Sequence, residues 1–182
     1  MKKSLLFACA GILAFTFAGC EPNLPIPESF PKKHLIEEFT GQDCGYCPYG
    51  IDCISAFIEN DTNWIVVLHH YGYQPDRLSV TGSKSITSKL KVGGAPAMTI
   101  NRSKTATSDG NAVVFHPGYL SETIKANQAS TTYASIVLNN SYDPTTRELK
   151  VKVSGAICKE DYPELKLTLL VKESGIIDYQ QD

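Results

Sequence analysis

Glu38-Phe39-Thr40-Gly41-Gln42-Asp43-Cys44-Gly45-Tyr46-Cys47-Pro48 is the stretch on which the fold turns. Immediately before it, His34-Leu35-Ile36-Glu37-Glu38-Phe39 reads as the end of a buried strand with an unexpected acid in it. Residues 40–43 read as a loop. From Cys44 the pattern becomes helical: Cys47, Ile51, Ile54, Phe57 and Ile58 fall on one broad face, with Asp52, Ser55, Glu59 and Asn60 opposite. Strand, loop, then cysteine at a helix start places the first sulfur beside free backbone N–H groups, where the helix dipole favours a thiolate. Thiols in such Cys-x-x-Cys motifs have pKa values of roughly 3.5–7. Cys47, one turn further in, is expected on the sheltered side, able to resolve a mixed disulfide formed at an exposed Cys44.

Outward from the motif, residues 64–69 (Trp-Ile-Val-Val-Leu-His) form a continuous β-branched, apolar run, the pattern of a strand covered on both faces. The second half of residues 76–92 predicts a helix, broken at Gly93-Gly94-Ala95-Pro96. Residues 97–101 predict a strand, paired as a hairpin with residues 112–115 through a turn at 108–111. Residues 118–129 predict a closing helix. From Tyr133 the character changes to period-2 alternation over 134–139, 149–153 and 165–171, with a turn at 143–146. That is antiparallel sheet. Three strands are few for a sandwich, which usually has about seven. The expectation is therefore an incomplete β-sandwich domain over 131–182, completed by a missing segment or a partner chain.

The N-terminus has a secretory pattern: Lys2 and Lys3, an apolar run over 5–17, then Ala18-Gly19-Cys20. The run is too short for a comfortable membrane span, which needs about 20 apolar residues. Cysteine after two small residues resembles the lipobox of bacterial lipoproteins, with Phe17 where that motif prefers Leu. The resemblance implies cleavage of residues 1–19, diacylation of Cys20 and attachment to a membrane. Residues 20–33 carry Pro22, Pro25, Pro27 and Pro31 and read as an extended tether of about 3.1 Å per residue.

Three features in the right order resemble the thioredoxin superfamily over residues 33–130: the strand–loop–Cys44-Gly45-Tyr46-Cys47–helix opening, Glu38 six residues before Cys44, and Ala95-Pro96 ahead of a strand. The resemblance implies that Cys44 attacks, that Glu38 relays a proton to or from Cys47, and that a cis Ala95-Pro96 loop, with Tyr46, holds substrate backbone. The whole chain is similar to the Omp28-related outer-membrane lipoproteins of Bacteroidetes, whose opening Glu-Phe-Thr-Gly-x-x-Cys-Gly-x-Cys-Pro fits residues 38–48. That implies an outer-membrane location and a thioredoxin-like domain, here 34–130, followed by a β-rich one.

The implied function is thiol–disulfide exchange on exported proteins, without a cofactor. The alternative is a non-catalytic envelope-binding or assembly lipoprotein in which Cys44–Cys47 is a structural disulfide. A zinc site is a third possibility for the pair and needs two more ligands. With 182 residues, a formal charge of −2 and no basic cluster, the chain is not expected to bind nucleic acid. Of six cysteines, Cys9 leaves with the signal. Cys53 reads as a buried inert thiol, about 9 Å of helix rise beyond Cys47, and Cys158 is given no role. His69 and His70 either cap a strand or modulate Cys44, and Glu38 is either the relay or an ordinary edge carboxylate.

Overall fold

The computed structural model describes residues 27–59, 61–105, 113–158 and 165–181. The signal region, Cys20 and the expected turn at 108–111 lie outside these residues. Among the described residues the chain is mixed α/β, with three α-helices and several small sheets. Near the end of the stretch expected as a tether, β1 (Phe30–Pro31) pairs antiparallel with β5 (Thr131–Thr132). Proline is tolerated there because the strand lies at an edge.

β2 (His34–Thr40) is the centre of a three-stranded sheet. It pairs parallel with β3 (Trp64–His70) and antiparallel with β4 (Ala97–Ile100). Its side chains alternate between the two faces of the sheet. Ile36 and Glu38 therefore share one face, and Glu37 and Phe39 the other. α1 (Cys47–Ile58) covers the first face. Pro48 opens this helix where its missing N–H costs nothing. Asp61 closes the turn beyond it, accepting from the Asn63 N–H at 2.9 Å and the Trp64 indole at 3.0 Å. The core joins Ile36, Ile54, Met98, Ile100, Phe115, Leu120 and Ile124. Fully burying side chains of this size contributes roughly 1.5–3 kcal/mol each, so the core clamps the strand before the cysteines against the helix after them.

Several expectations are corrected. The helix begins at Cys47, not Cys44, because residues 44–47 form a turn in which the Cys47 N–H donates to the Cys44 carbonyl at 3.1 Å. Phe57 is exposed, with its ring edge-on to Trp64. β3 is an edge strand, so Ile65 and Leu68 are exposed rather than covered. α2 (Thr81–Lys89) buries Ser83 and Thr87, while Ile86 is only half-buried. The expected partner of β4 reduces to one bridge, Met98 with Phe115, whose two hydrogen bonds are 2.8 and 2.9 Å. The closing helix is a 3-10 turn (Pro117–Tyr119) followed by α3 (Leu120–Ala126).

Beyond β5, β6 (Val137–Asp143) and β7 (Glu148–Ser154) form a hairpin around the expected turn. Residues 165–171 form no strand, despite their alternation. They pair with none of the described strands, and Leu165, Leu167, Leu169 and Val171 stay exposed.

Candidate functional site

Cys44 and Cys47 form a disulfide, with Cα atoms 5.4 Å apart. The turn is set by two backbone bonds: the Cys44 N–H donates to Gly41 O at 3.2 Å, and the Cys47 N–H to Cys44 O at 3.1 Å. Cys47 is the first residue of α1 and fully buried. Cys44, expected to be the exposed partner, is only 4% exposed. Tyr46 between them is 80% exposed and presents its ring to solvent.

Glu38 lies beneath α1. It is fully buried, and neither carboxylate oxygen has a hydrogen-bond partner. Burial pushes its pKa up to about 8, so the carboxyl keeps its proton at neutral pH. Its position relative to the cysteines follows from Gly50. A Cβ on Gly50 would collide with Glu38 Oε1 and come within 3.2 Å of the Pro96 Cβ. Gly50 lies three residues after Cys47, hence on the same helix face. Glu38, Cys47, Gly50 and Pro96 thus share one buried layer. The Ala95–Pro96 bond is cis, and Ala97 begins β4 two residues beyond Ala95.

Glu37 points to the opposite face. Arg102 grips it through Nε to Oε2 at 2.7 Å and Nη2 to Oε1 at 2.6 Å, and His69 Nε2 lies 2.9 Å from Oε1. Burial would raise this carboxyl, but these partners outweigh it and hold the pKa at about 2. His69 Nδ1 continues to Ser83 Oγ at 3.4 Å, tying α2 to the sheet. His69 is therefore engaged on the face away from α1. His70 Nδ1 lies 2.9 Å from Asp76 Oδ2, which also accepts the Gln42 N–H at 2.9 Å. That chain reaches the cysteine loop through Asp76, not through a contact of His70 with Cys44.

The sequence reading missed Arg102. It sits at φ 49°, after Asn101 at φ 53°. Two consecutive left-handed residues turn the chain back after β4, and only the fold reveals their target. Cys53 is half-buried rather than buried and packs at the edge of the core. The Cys53 thiol beside Tyr49 raises the phenol's pKa. The free Cys158 thiol lies 3.2 Å from Glu28 O and 3.3 Å from Tyr133 O. Among the described residues no cluster of three or more His, Cys, Asp or Glu side chains is arranged to hold a metal ion. No helix among them is long and apolar enough to cross a membrane.

No protein-family model matches the chain, and no curated protein matches it. Among solved structures it is similar to HBP35 of Porphyromonas gingivalis, which has a thioredoxin-like fold. The identity is 19% and the TM-score 0.55, over 71% of this chain and 44% of that one. The chain thus spans less than half the length of HBP35, and the likeness speaks to fold alone. A protein from Agrobacterium tumefaciens is similar at 13% identity with a TM-score of 0.41, covering 68% of this chain and 57% of its own. A superposition at that level carries no argument.

Proposed function

We propose that residues 34–130 are a thioredoxin-like domain that exchanges thiols and disulfides with other exported proteins, held at the outer membrane by lipid on Cys20. The observation that carries the reading is the buried layer in which an unpartnered carboxyl, Glu38, lies against α1 one turn from Cys47, with Pro96 beside it. An isolated buried carboxyl costs several kcal/mol unless it stays protonated, and perturbed acids of this kind cluster at functional sites.

In the reducing direction the Cys44 thiolate attacks one sulfur of a substrate disulfide. The Cys44–substrate S–S bond forms and the other substrate sulfur leaves as a thiolate, taking up a proton. Glu38 first releases the proton it holds at neutral pH and, once ionised, accepts the Cys47 proton. The Cys47 thiolate then attacks Cys44 Sγ and releases the second substrate thiol. The substrate gains two electrons and the pair ends as the disulfide seen here; a dithiol reductant protein must restore it. The uncharged Gly45-Tyr46 insert lends Cys44 no positive charge, which favours reduction or isomerisation over strong oxidation.

The burial of Cys44 favours a second reading, an envelope-binding lipoprotein in which the disulfide is a static clip. Residues 131–182 would then supply binding surface, completed by further sequence or a partner chain. The reduction potential of the Cys44–Cys47 pair, measured against glutathione, separates the two. Catalytic pairs lie between about −120 and −270 mV, and structural ones below about −300 mV. A value in the second range would end the exchange reading. Anchoring is tested apart from this: Cys20→Ser should abolish incorporation of labelled palmitate and release the protein from the membrane fraction.

A further inference from the structure

The backbone of the loop carrying Cys44 is hydrogen-bonded by a segment more than a hundred residues away. The Gln180 carboxamide Nε2 donates to Gly41 O at 3.1 Å and to Cys44 O at 3.2 Å. The Gln181 N–H donates to Gln42 O at 2.8 Å. In return, the Gln42 carboxamide donates to Tyr179 O at 2.9 Å. Arg77 pairs with Asp178 at 2.9 Å and anchors the near end. Residues 178–181 therefore lie on the loop 41–44 as a peptide segment does on a receptor, through one backbone-to-backbone bond and two carboxamides, one from each side. A cavity of about 470 Å3 opens beside them, lined in part by Gln42, Asp76, Arg77 and Tyr179.

Residues 165–181 contain no helix or strand of their own. The bonds named above, largely polar, hold residues 178–181 against the loop. Such contacts exchange readily with water or with an equivalent ligand, unlike a packed apolar interface.

We propose that the loop 41–44 with Arg77 is a docking surface for an extended peptide, that residues 178–181 are its resident occupant, and that this occupant closes the approach to Cys44. A competing peptide needs an acidic residue two positions before a carboxamide, as Asp178 and Gln180 stand here. Docking of such a segment displaces the strap and delivers a neighbouring disulfide or thiol to the pair. The inference deepens the exchange reading and rests on it for its purpose, though not for its geometry.

The test uses the whole oxidised chain and follows reduction of Cys44–Cys47 by dithiothreitol, read by alkylation and mass. Gln180→Ala should accelerate reduction about 5–10-fold and Asp178→Ala about 2–3-fold. Ile177→Ala, at a side chain that is fully exposed, should leave the rate unchanged. A synthetic peptide of sequence 174–182, added to the Gln180→Ala variant, should restore the slow rate. Rates of Gln180→Ala and Asp178→Ala within twofold of the parent, with no effect of the peptide, overturn the strap whatever the pair's potential. Faster reduction of a pair whose potential lies outside the catalytic range keeps the strap and overturns only the exchange reading.

Discussion

Glu37 and Glu38 are adjacent in β2 and both fully buried, yet they sit in opposite electrostatic environments. Glu37 is held ionised by Arg102 and His69, with a pKa of about 2. Glu38 has no partner, and burial raises it to about 8. The alternation of a strand separates them onto two faces, so one residue ties the sheet to Arg102 and α2 while its neighbour keeps a proton under the cysteine helix.

The raised pKa of Glu38 makes stability fall as pH rises. Between its unfolded value near 4.5 and its folded value of about 8, the native chain holds a proton that the unfolded chain has released. The stabilisation is complete below pH 4.5 and is lost as pH rises through 8. The limiting slope is about 1.4 kcal/mol per pH unit. Urea unfolding of the oxidised protein from pH 5 to 8.5 should show this decline, and Glu38→Gln should remove it. The difference between the two proteins isolates this carboxyl from every other group and is the quantity that counts. Parallel curves would show that Glu38 carries no buried proton.

Glu37 has the opposite sign. Its folded pKa lies below the unfolded value, so its contribution is present above pH 4.5 and is lost as pH falls towards 2. Arg102→Ala leaves a buried carboxylate with only His69, a change that typically costs about 3–5 kcal/mol. The variant should therefore unfold at a lower urea concentration at pH 7. The gap should narrow towards pH 3, where the stranded carboxylate becomes protonated. A gap that stays constant with pH would place the loss in packing of the arginine stem instead.

Much of this layout is legible in local sequence. The apolar face through Ile54 and Ile58 fixes α1 by periodicity, and the apolar runs before Cys44 and from Trp64 fix strands by composition. What escapes is long-range. Arg102 reaches Glu37 across 65 positions through a left-handed turn that no composition signals. Gln180 reaches Cys44 O across 136 positions, and Cys44 itself, expected to be exposed, is buried. Residues 165–171 show the converse failure. Their alternation is that of a strand, but pairing needs a neighbouring edge, and a sequence cannot state whether one is present.

Substitution at the two cysteines should be asymmetric in vivo. If Cys44 attacks and Cys47 resolves, Cys47→Ser stalls the reaction at the mixed disulfide. Exported proteins should then be trapped on Cys44 and resolved on a non-reducing gel, while Cys44→Ser traps none. Equal trapping by both variants, or none by either, would remove the assignment of roles.

Gly50 is the residue that lets α1 lie over a glutamate. The space its missing side chain leaves is filled by Glu38 Oε1 on one side and the Pro96 Cβ on the other. Neither can retreat far, since Glu38 is packed on a central strand and Pro96 leads directly into β4. Gly50→Ala should therefore destabilise by about 1–3 kcal/mol, the usual cost of overpacking, although alanine is the better helix former by about 1 kcal/mol. Shortening the acid should relieve the clash, so Glu38→Ala combined with Gly50→Ala should be more stable than the sum of the single changes by more than about 0.5 kcal/mol. Simple additivity in that cycle would mean that Glu38 and Gly50 do not press on one another, and the buried layer joining Glu38 to the cysteine helix would lose its main geometric support.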